Sequence, residues 1–367
     1  MKEKIKRLNW SYLLSLAVSV LLAFLIGAVI LIIAGFDPLK AYAAMWNGAF
    51  SNARHVGDFL EYAMVLCICG LACVLGSRVG IFNVGGEGQL LLGAIVSCQV
   101  GVWLGGMSKL VVIPCAMLAA MAVGGLYALI PGVLKVKVKV NEVITTIMLN
   151  TIAASLCQYL AKGPWKNTNK TMVAATGQLD PRSWFSRLIP NSNLSTAILI
   201  AAFMAFLIWY VMQKTCLGFE MKMTGQNPRF ARFSGLKTDR IVIACMLVSG
   251  AMCGLVGMFR VYGVEHLYRS SISNQYYFEG LTVAMIARYD PVTTILLSFF
   301  FAVLKIGAQG MEISAGVPNQ IYLIIQTIII FFMAAESGIT SSLTAAAQRK
   351  RARVQAEERR KGAEESA

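Results

Sequence analysis

Thr224-Gly-Gln-Asn-Pro-Arg-Phe-Ala-Arg-Phe-Ser-Gly-Leu236 lies between two long apolar runs, about 195–213 and 240–262, and its reading sets the architecture of the whole chain. Asn227 is a good N-cap, Pro228 sits at a first helical position whose N–H needs no partner, and Gly235 can take the left-handed conformation that closes a helix. The stretch therefore encodes a helix of about two turns. Phe230, Ala231 and Phe233 give it apolar points, while Arg229 and Arg232 keep it basic. It is too short to cross a bilayer, and too well capped to be a bare linker between the runs on either side. A helix held in this way is either a handle for a partner protein or an interfacial helix that tidies a long loop.

Outward from that stretch the chain is mostly apolar. Its 367 residues are 57% hydrophobic and 14% charged, with a mean hydropathy of +0.65, which polar surface on a soluble domain of this size would not cover. The expected fold is all-α: a polytopic integral membrane protein of about ten transmembrane helices. The spans fall at about 12–34, 58–77, 84–105, 109–132, 143–161, 195–213, 240–262, 277–288, 291–309 and 319–336. Residues 1–336 then form one transmembrane domain and 337–367 a charged cytoplasmic tail. Residues 35–57 and 162–194 read as extracytoplasmic loops, and 214–239 as a cytoplasmic loop holding the short helix. The stretch 277–309 is the place where a re-entrant or broken helix would change the count, because Arg288-Tyr-Asp-Pro291 interrupts it.

Charge orients the bundle. The formal net charge of +15 resides in short stretches between apolar runs, which is the positive-inside pattern rather than a nucleic-acid footprint, so no nucleic-acid partner is expected. With both termini in the cytoplasm, 22 of the 33 Lys and Arg lie on inside segments, including Lys2, Lys4, Lys6 and Arg7 at the start. The run after those four is longer than a signal-peptide core and reads as a retained first span.

The third span opens with an unusual segment. Between Gly80 and Gly93, glycines crowd together with Asn83, Glu87 and Gln89, a mixture that weakens a helix and would be costly against lipid. Either this is a broken helix whose backbone and polar side chains, from Phe82 to Gln89, line a pathway, or it is tight glycine packing with Asn83 and Glu87 capping a helix start. On the fifth span Glu142, Thr146, Asn150, Ala154 and Gln158 recur every four residues. That winding stripe either lines a watery path or joins helices by hydrogen bonds. Gly250, Gly254 and Gly257 on the seventh span read as a small-residue packing seam.

Several chemistries are excluded. Of nine cysteines, Cys67, Cys69, Cys73, Cys98, Cys115, Cys157, Cys245 and Cys253 lie inside apolar spans, which fits neither a disulfide frame nor a zinc site. With two histidines, His55 and His266, no metal site is expected. No G-x-x-x-x-G-K-[ST], G-x-S-x-G or H-E-x-x-H occurs, so no catalytic residues and no cofactor are expected, and any ATP acts on another chain.

Four segments carry a family resemblance. Gly80-IFNVGGEGQLLLGA-Ile95, Lys139-VNEVITTIMLN-Thr151, Thr224-GQNPRFARFSGLKTDR-Ile241 with the following SGAMCGLVGM, and Phe278-EGLTVAMIARYDP-Val292 occur in order. Over roughly 58–336 the chain resembles the permeases of binding-protein-dependent ABC importers that serve ribose-type sugars, branched-chain amino acids and nucleosides. The FN-x-G-x-EGQ and VNEVITTIMLN forms resemble the nucleoside-uptake branch, in which two different permeases usually pair. The resemblance implies a cytoplasmic ABC ATPase, a second permease subunit and an extracytoplasmic substrate-binding lipoprotein as partners, beside membrane lipid. It implies a coupling role for Asn227, Pro228, Arg229, Phe230, Ala231 and Gly235. Phe82, Asn83, Glu87, Gln89, Glu142, Thr146 and Asn150 would border the pathway. A ribose-type sugar or a branched-chain amino acid is the alternative solute. An ion-coupled secondary transporter using Glu87, Glu142 or Glu279 is a further alternative.

Overall fold

The computed structural model describes residues 10–167, 175–318, 320–321 and 323–332. The basic N-terminus, Lys2 to Arg7, and the tail 337–367 lie outside them. The described chain is helical, with only isolated β-bridges, two within residues 166–195 and one from Ala175 to Arg269. In order the helices are α1 (Trp10–Ile33), α2 (Pro38–Phe50), α3 (Ala53–Arg78), α4 (Gly86–Trp103), α5 (Lys109–Val138), α6 (Glu142–Lys162) and α7 (Ala197–Lys214). There follow α8 (Cys216–Gln226), α9 (Pro228–Phe233), α10 (Thr238–Arg260) running into a π-turn at Val261–Glu265, α11 (Tyr276–Ile286), α12 (Pro291–Ala315) and α13 (Leu323–Phe332).

Six of these are long and apolar enough to cross a membrane: α3, α5, α6, α7, α10 with its π-turn, and α12. The last part of α1 and α2 together make a pair bent by 120°, which allows a seventh. The expectation of ten full spans is therefore met only in part. α4 has 18 residues and begins with polar ones. α11 has 11, about 16 Å of helix against the ~30 Å of a hydrocarbon core. The stretch read as the span 277–288 is thus a half-length helix.

Residues 35–57 also differ from the expected loop. Asp37 accepts the N–H groups of Leu39 at 3.0 Å and Lys40 at 3.4 Å, and Pro38 opens α2 behind that cap. Comparable caps start other helices. Asn141 accepts Val143 N–H at 2.9 Å to open α6, and Thr215 begins α8, a helix within the 214–239 loop.

Two compact units divide the contacts, one made of 1–43 with 311–367 and the other of 44–310. Within the first, Tyr42 donates to Phe24 O at 2.6 Å and packs edge to face on its ring. The second unit is built around α3, which is buried along nearly its whole apolar length, while only a minor share of the apolar length of α5, α6 and α7 is buried. α4, α5 and α10 join through small residues. A Cβ at Gly254 would overlap Ala120 O, one at Gly124 would overlap Gly250 O, and one at Gly93 would overlap Gly254. In a bilayer, where burial from lipid gives helices little drive to associate, this close backbone approach supplies dispersion contact instead.

Candidate translocation pathway and partner-docking helix

The segment before α4 is irregular because its backbone is held from outside itself. Asn83 Oδ1 accepts Gly85 N–H at 3.1 Å and Gln89 Nε2 at 3.1 Å, while Asn83 Nδ2 donates to Gln89 Oε1 at 3.0 Å and Ser249 Oγ at 2.9 Å. Ser249 Oγ passes its own proton to Ala72 O at 2.7 Å, so the buried cluster is satisfied. From α6, Asn150 Oδ1 accepts Gly88 N–H at 2.9 Å and its Nδ2 donates to Val84 O at 2.9 Å. Asn150 thus acts as an N-cap for α4 supplied by another helix.

Glu87 has a related task. Its Oε2 accepts Tyr277 N–H at 3.3 Å, placing a carboxylate against the N-terminus of α11, where the helix dipole favours negative charge. Tyr277 in turn donates its hydroxyl to Asn83 O. The glycines are needed for these approaches: a Cβ on Gly86 would meet the Tyr277 ring, and one on Gly88 would lie 3.0 Å from Asn150 and Ala153. The broken start of α4 and the N-terminus of α11 therefore face each other inside the bundle, each stabilised by a side chain from elsewhere.

The other expected pathway residues separate. Phe82 is partly exposed and packs edge to face on Tyr289 at 5.8 Å, at the far end of α11. Thr146 is buried against the Gly85 turn and bonds back to Glu142 O at 2.7 Å. Glu142 pairs with Lys135 at 2.7 Å across the α5–α6 turn. Further along the stripe Ala154 and Gln158 are exposed, while Ala153, Cys157 and Ala161 are buried. Steps of four residues advance about 40° each past a full turn, so a four-step stripe rotates off the packed face.

α9 forms as its sequence indicates. Asn227 Oδ1 accepts Phe230 N–H at 3.0 Å, Gly235 has φ +84°, and Gly235 N–H and Leu236 N–H bond to Arg232 O and Ala231 O, both at 3.0 Å, which is a Schellman closure. Arg232 is tied to Thr238 at 2.9 Å and to Asp239. Ala231 is fully buried within the chain's own fold, whereas Phe230 is 53% and Phe233 92% exposed. The face available to a partner therefore consists of Phe230, Phe233 and Arg229, not Ala231.

Sequence reasoning missed the buried ion pairs. Arg260 and Glu61 are 7% and 4% exposed and lie 2.8 Å apart, and Lys305 meets Glu279 at 3.0 Å. A signal was present: Glu61, Arg260 and Lys305 are each isolated charges within apolar runs, which marks a bundle interior. Among the described residues no cluster of His, Cys, Asp and Glu could hold a metal ion.

A many-helix membrane bundle with an irregular, polar segment leading into an interior helix is an arrangement that solute-translocating proteins use. Residues 56–334 match the family described as branched-chain amino acid transport system / permease component, and the chain belongs to that family. It is 32% identical over 337 residues to the guanosine ABC transporter permease protein NupP of Bacillus subtilis, covering 91% of this chain and 96% of that one. It is 30% identical over 327 residues to the nucleoside ABC transporter permease protein NupB of Lactococcus lactis, with 87% and 90% covered. The glucose ABC transporter permease protein TsgB13 of Haloferax volcanii is 31% identical over 331 residues, with 86% and 85% covered. The chain is a transmembrane permease subunit of an ABC importer, a multi-pass membrane protein with no enzymatic activity of its own. Membership implies the usual partners, an ATPase and a substrate-binding protein.

Proposed function

We propose that this permease carries nucleosides. The observation that carries the reading is its likeness, at 32% and 30% identity along nearly the whole chain, to two permeases named for guanosine and nucleoside transport. The glucose permease at 31% identity keeps a sugar as the second reading. The solute passes along the irregular Phe82–Gln89 segment and the start of α6, between Glu87 and Glu142, with Asn83, Gln89, Thr146 and Asn150 holding the break in shape. Both termini lie in the cytoplasm, and the bundle makes ten passes, one of them carried by the half-length α11. α9 is then cytoplasmic and seats Phe230 and Phe233 in a groove of the ATPase, and a second, different permease completes the passage. An extracytoplasmic lipoprotein delivers the solute. The test is the ligand that stays bound to the lipoprotein co-purifying with this permease. A nucleoside supports the reading, and a hexose or a branched-chain amino acid overturns it.

A further inference from the structure

A layer of charge crosses the bundle where α3, α10, α11 and α12 meet. Arg260 donates to Glu61 at 2.8 Å, approaches Glu265 at 3.5 Å and lies 4.9 Å from the centre of the Tyr276 ring. Beside it, Glu279 on α11 accepts the Tyr62 hydroxyl at 2.5 Å on one oxygen and Lys305 Nζ at 3.0 Å on the other. The rings of Tyr62 and Tyr276 touch edge to face at 5.5 Å and join the two groups. Ion pairs give little or no net adhesion once their desolvation is counted. Where this fold needs only adhesion, as between Gly93 and Gly254, it uses small apolar contacts. Paired charges differ from such a seam in one respect: they can part when water or a polar solute enters.

The helix that carries Glu279 is a short separate unit set off by backbone turns at both ends. α11 is bounded at both ends by consecutive non-glycine residues in the left-handed region, Asn274 and Gln275 (φ 37° and 59°) before it and Arg288 and Tyr289 (φ 52° and 56°) after it. It lies on α3 through Gly280, where an added Cβ would stand 2.5 Å from Cys69. α11 also carries Tyr277, whose ring fills the space beside Gly86 and whose N–H and hydroxyl are held by Glu87 and Asn83, so a turn of α11 moves that ring and parts those bonds as well.

We propose that Glu279 is a positioning residue for transport. Its bonds to Tyr62 and Lys305 latch α11 across the outer part of the passage, and solute enters from outside only when that latch parts and α11 turns on its two flanking pairs. This deepens the permease reading above and rests on its orientation.

The test uses the assembled importer in proteoliposomes, with Cys69, fully buried beneath Gly280, as the only cysteine in this chain. A membrane-impermeant thiol reagent is added from each side in turn without ATP. Glu279→Gln should raise outside labelling of Cys69 about tenfold or more, the factor that goes with losing a charged hydrogen bond. Exchanging the partners, Glu279→Lys with Lys305→Glu, should return labelling towards the wild-type rate. Should Glu279→Gln fail to assemble, Tyr62→Phe removes one of the two bonds and should give a smaller rise. Unchanged labelling in the variants that assemble, with transport reduced, overturns the latch and leaves Glu279 a structural residue. A rise seen only from the side opposite a cysteine placed at Asn191 supports the latch and overturns the orientation.

Discussion

Replacing Asn150 by Ala removes the clamp that α6 places on the broken start of α4. Two hydrogen bonds disappear, Gly88 N–H to Oδ1 and Nδ2 to Val84 O, both 2.9 Å. The loss is of the size of an N-cap deletion, ~1 kcal/mol, plus the cost of leaving Val84 O without its partner, ~1–3 kcal/mol. The small void left by the shortened side chain adds to this, so the change should destabilise the permease by about 2–4 kcal/mol. For a chain of this size that corresponds to a fall in melting temperature of roughly 3–5 °C. Transport should fall further than stability explains, because Glu87 and the α11 N-terminus lose their fixed opposite wall. Asn150→Asp keeps the acceptor for Gly88 but sets a carboxylate against Val84 O, and should be at least as damaging. A melting temperature within 1 °C of wild type, with uptake intact, would refute the cross-helix cap.

On α9, Phe233→Ser should weaken ATPase association about tenfold with the permease still inserted, while Ala231→Glu should loosen α9 from its own chain; co-purification and proteolysis of the 214–239 loop separate the two effects. Gly254→Val places methyl groups into Ala120 and Gly124 and should cost about 3 kcal/mol, read as loss of folded permease in the membrane fraction. His266 lies just beyond the α10 span, stacked on Trp184 at 3.6 Å, where burial first and then the Arg187 charge push it down from 6.5 to about 4, with Glu265 opposing. Its folded state resists protonation, so the stability it holds above pH 6.5 should be lost as pH falls from there through about 4, and His266→Phe should flatten that dependence in a thermal-melt series.

Features written locally were legible in the sequence. Asn227, Pro228 and Gly235 specify α9 within nine residues, and the structure closes it with the bonds those residues offer. The odd composition at Phe82–Gln89 marked a segment that is irregular up to Gly85 and helical from Gly86, yet the partners that shape it, Ser249, Tyr277 and Asn150, lie 62 to 194 positions away and leave no trace in a local reading. The same distance hides the Glu61–Arg260 pair, 199 residues apart. The short stretch 277–288 was counted as a span, with a re-entrant or broken helix there as the alternative, because hydropathy does not register that the backbone before Tyr276 is turned rather than helical. Ala231 was expected among the coupling residues; it packs within its own chain.

The central claim is that this chain forms the passage of an ATP-driven nucleoside importer. Uptake of labelled guanosine into cells carrying the intact importer tests it most directly, measured under ATP depletion and, separately, with an uncoupler at maintained ATP. The account predicts that uptake stops on ATP depletion, survives the uncoupler and is competed by unlabelled nucleosides but not by glucose, ribose or leucine. Uptake that survives ATP depletion and collapses with the uncoupler would contradict it, as would competition by a sugar or an amino acid in place of nucleosides.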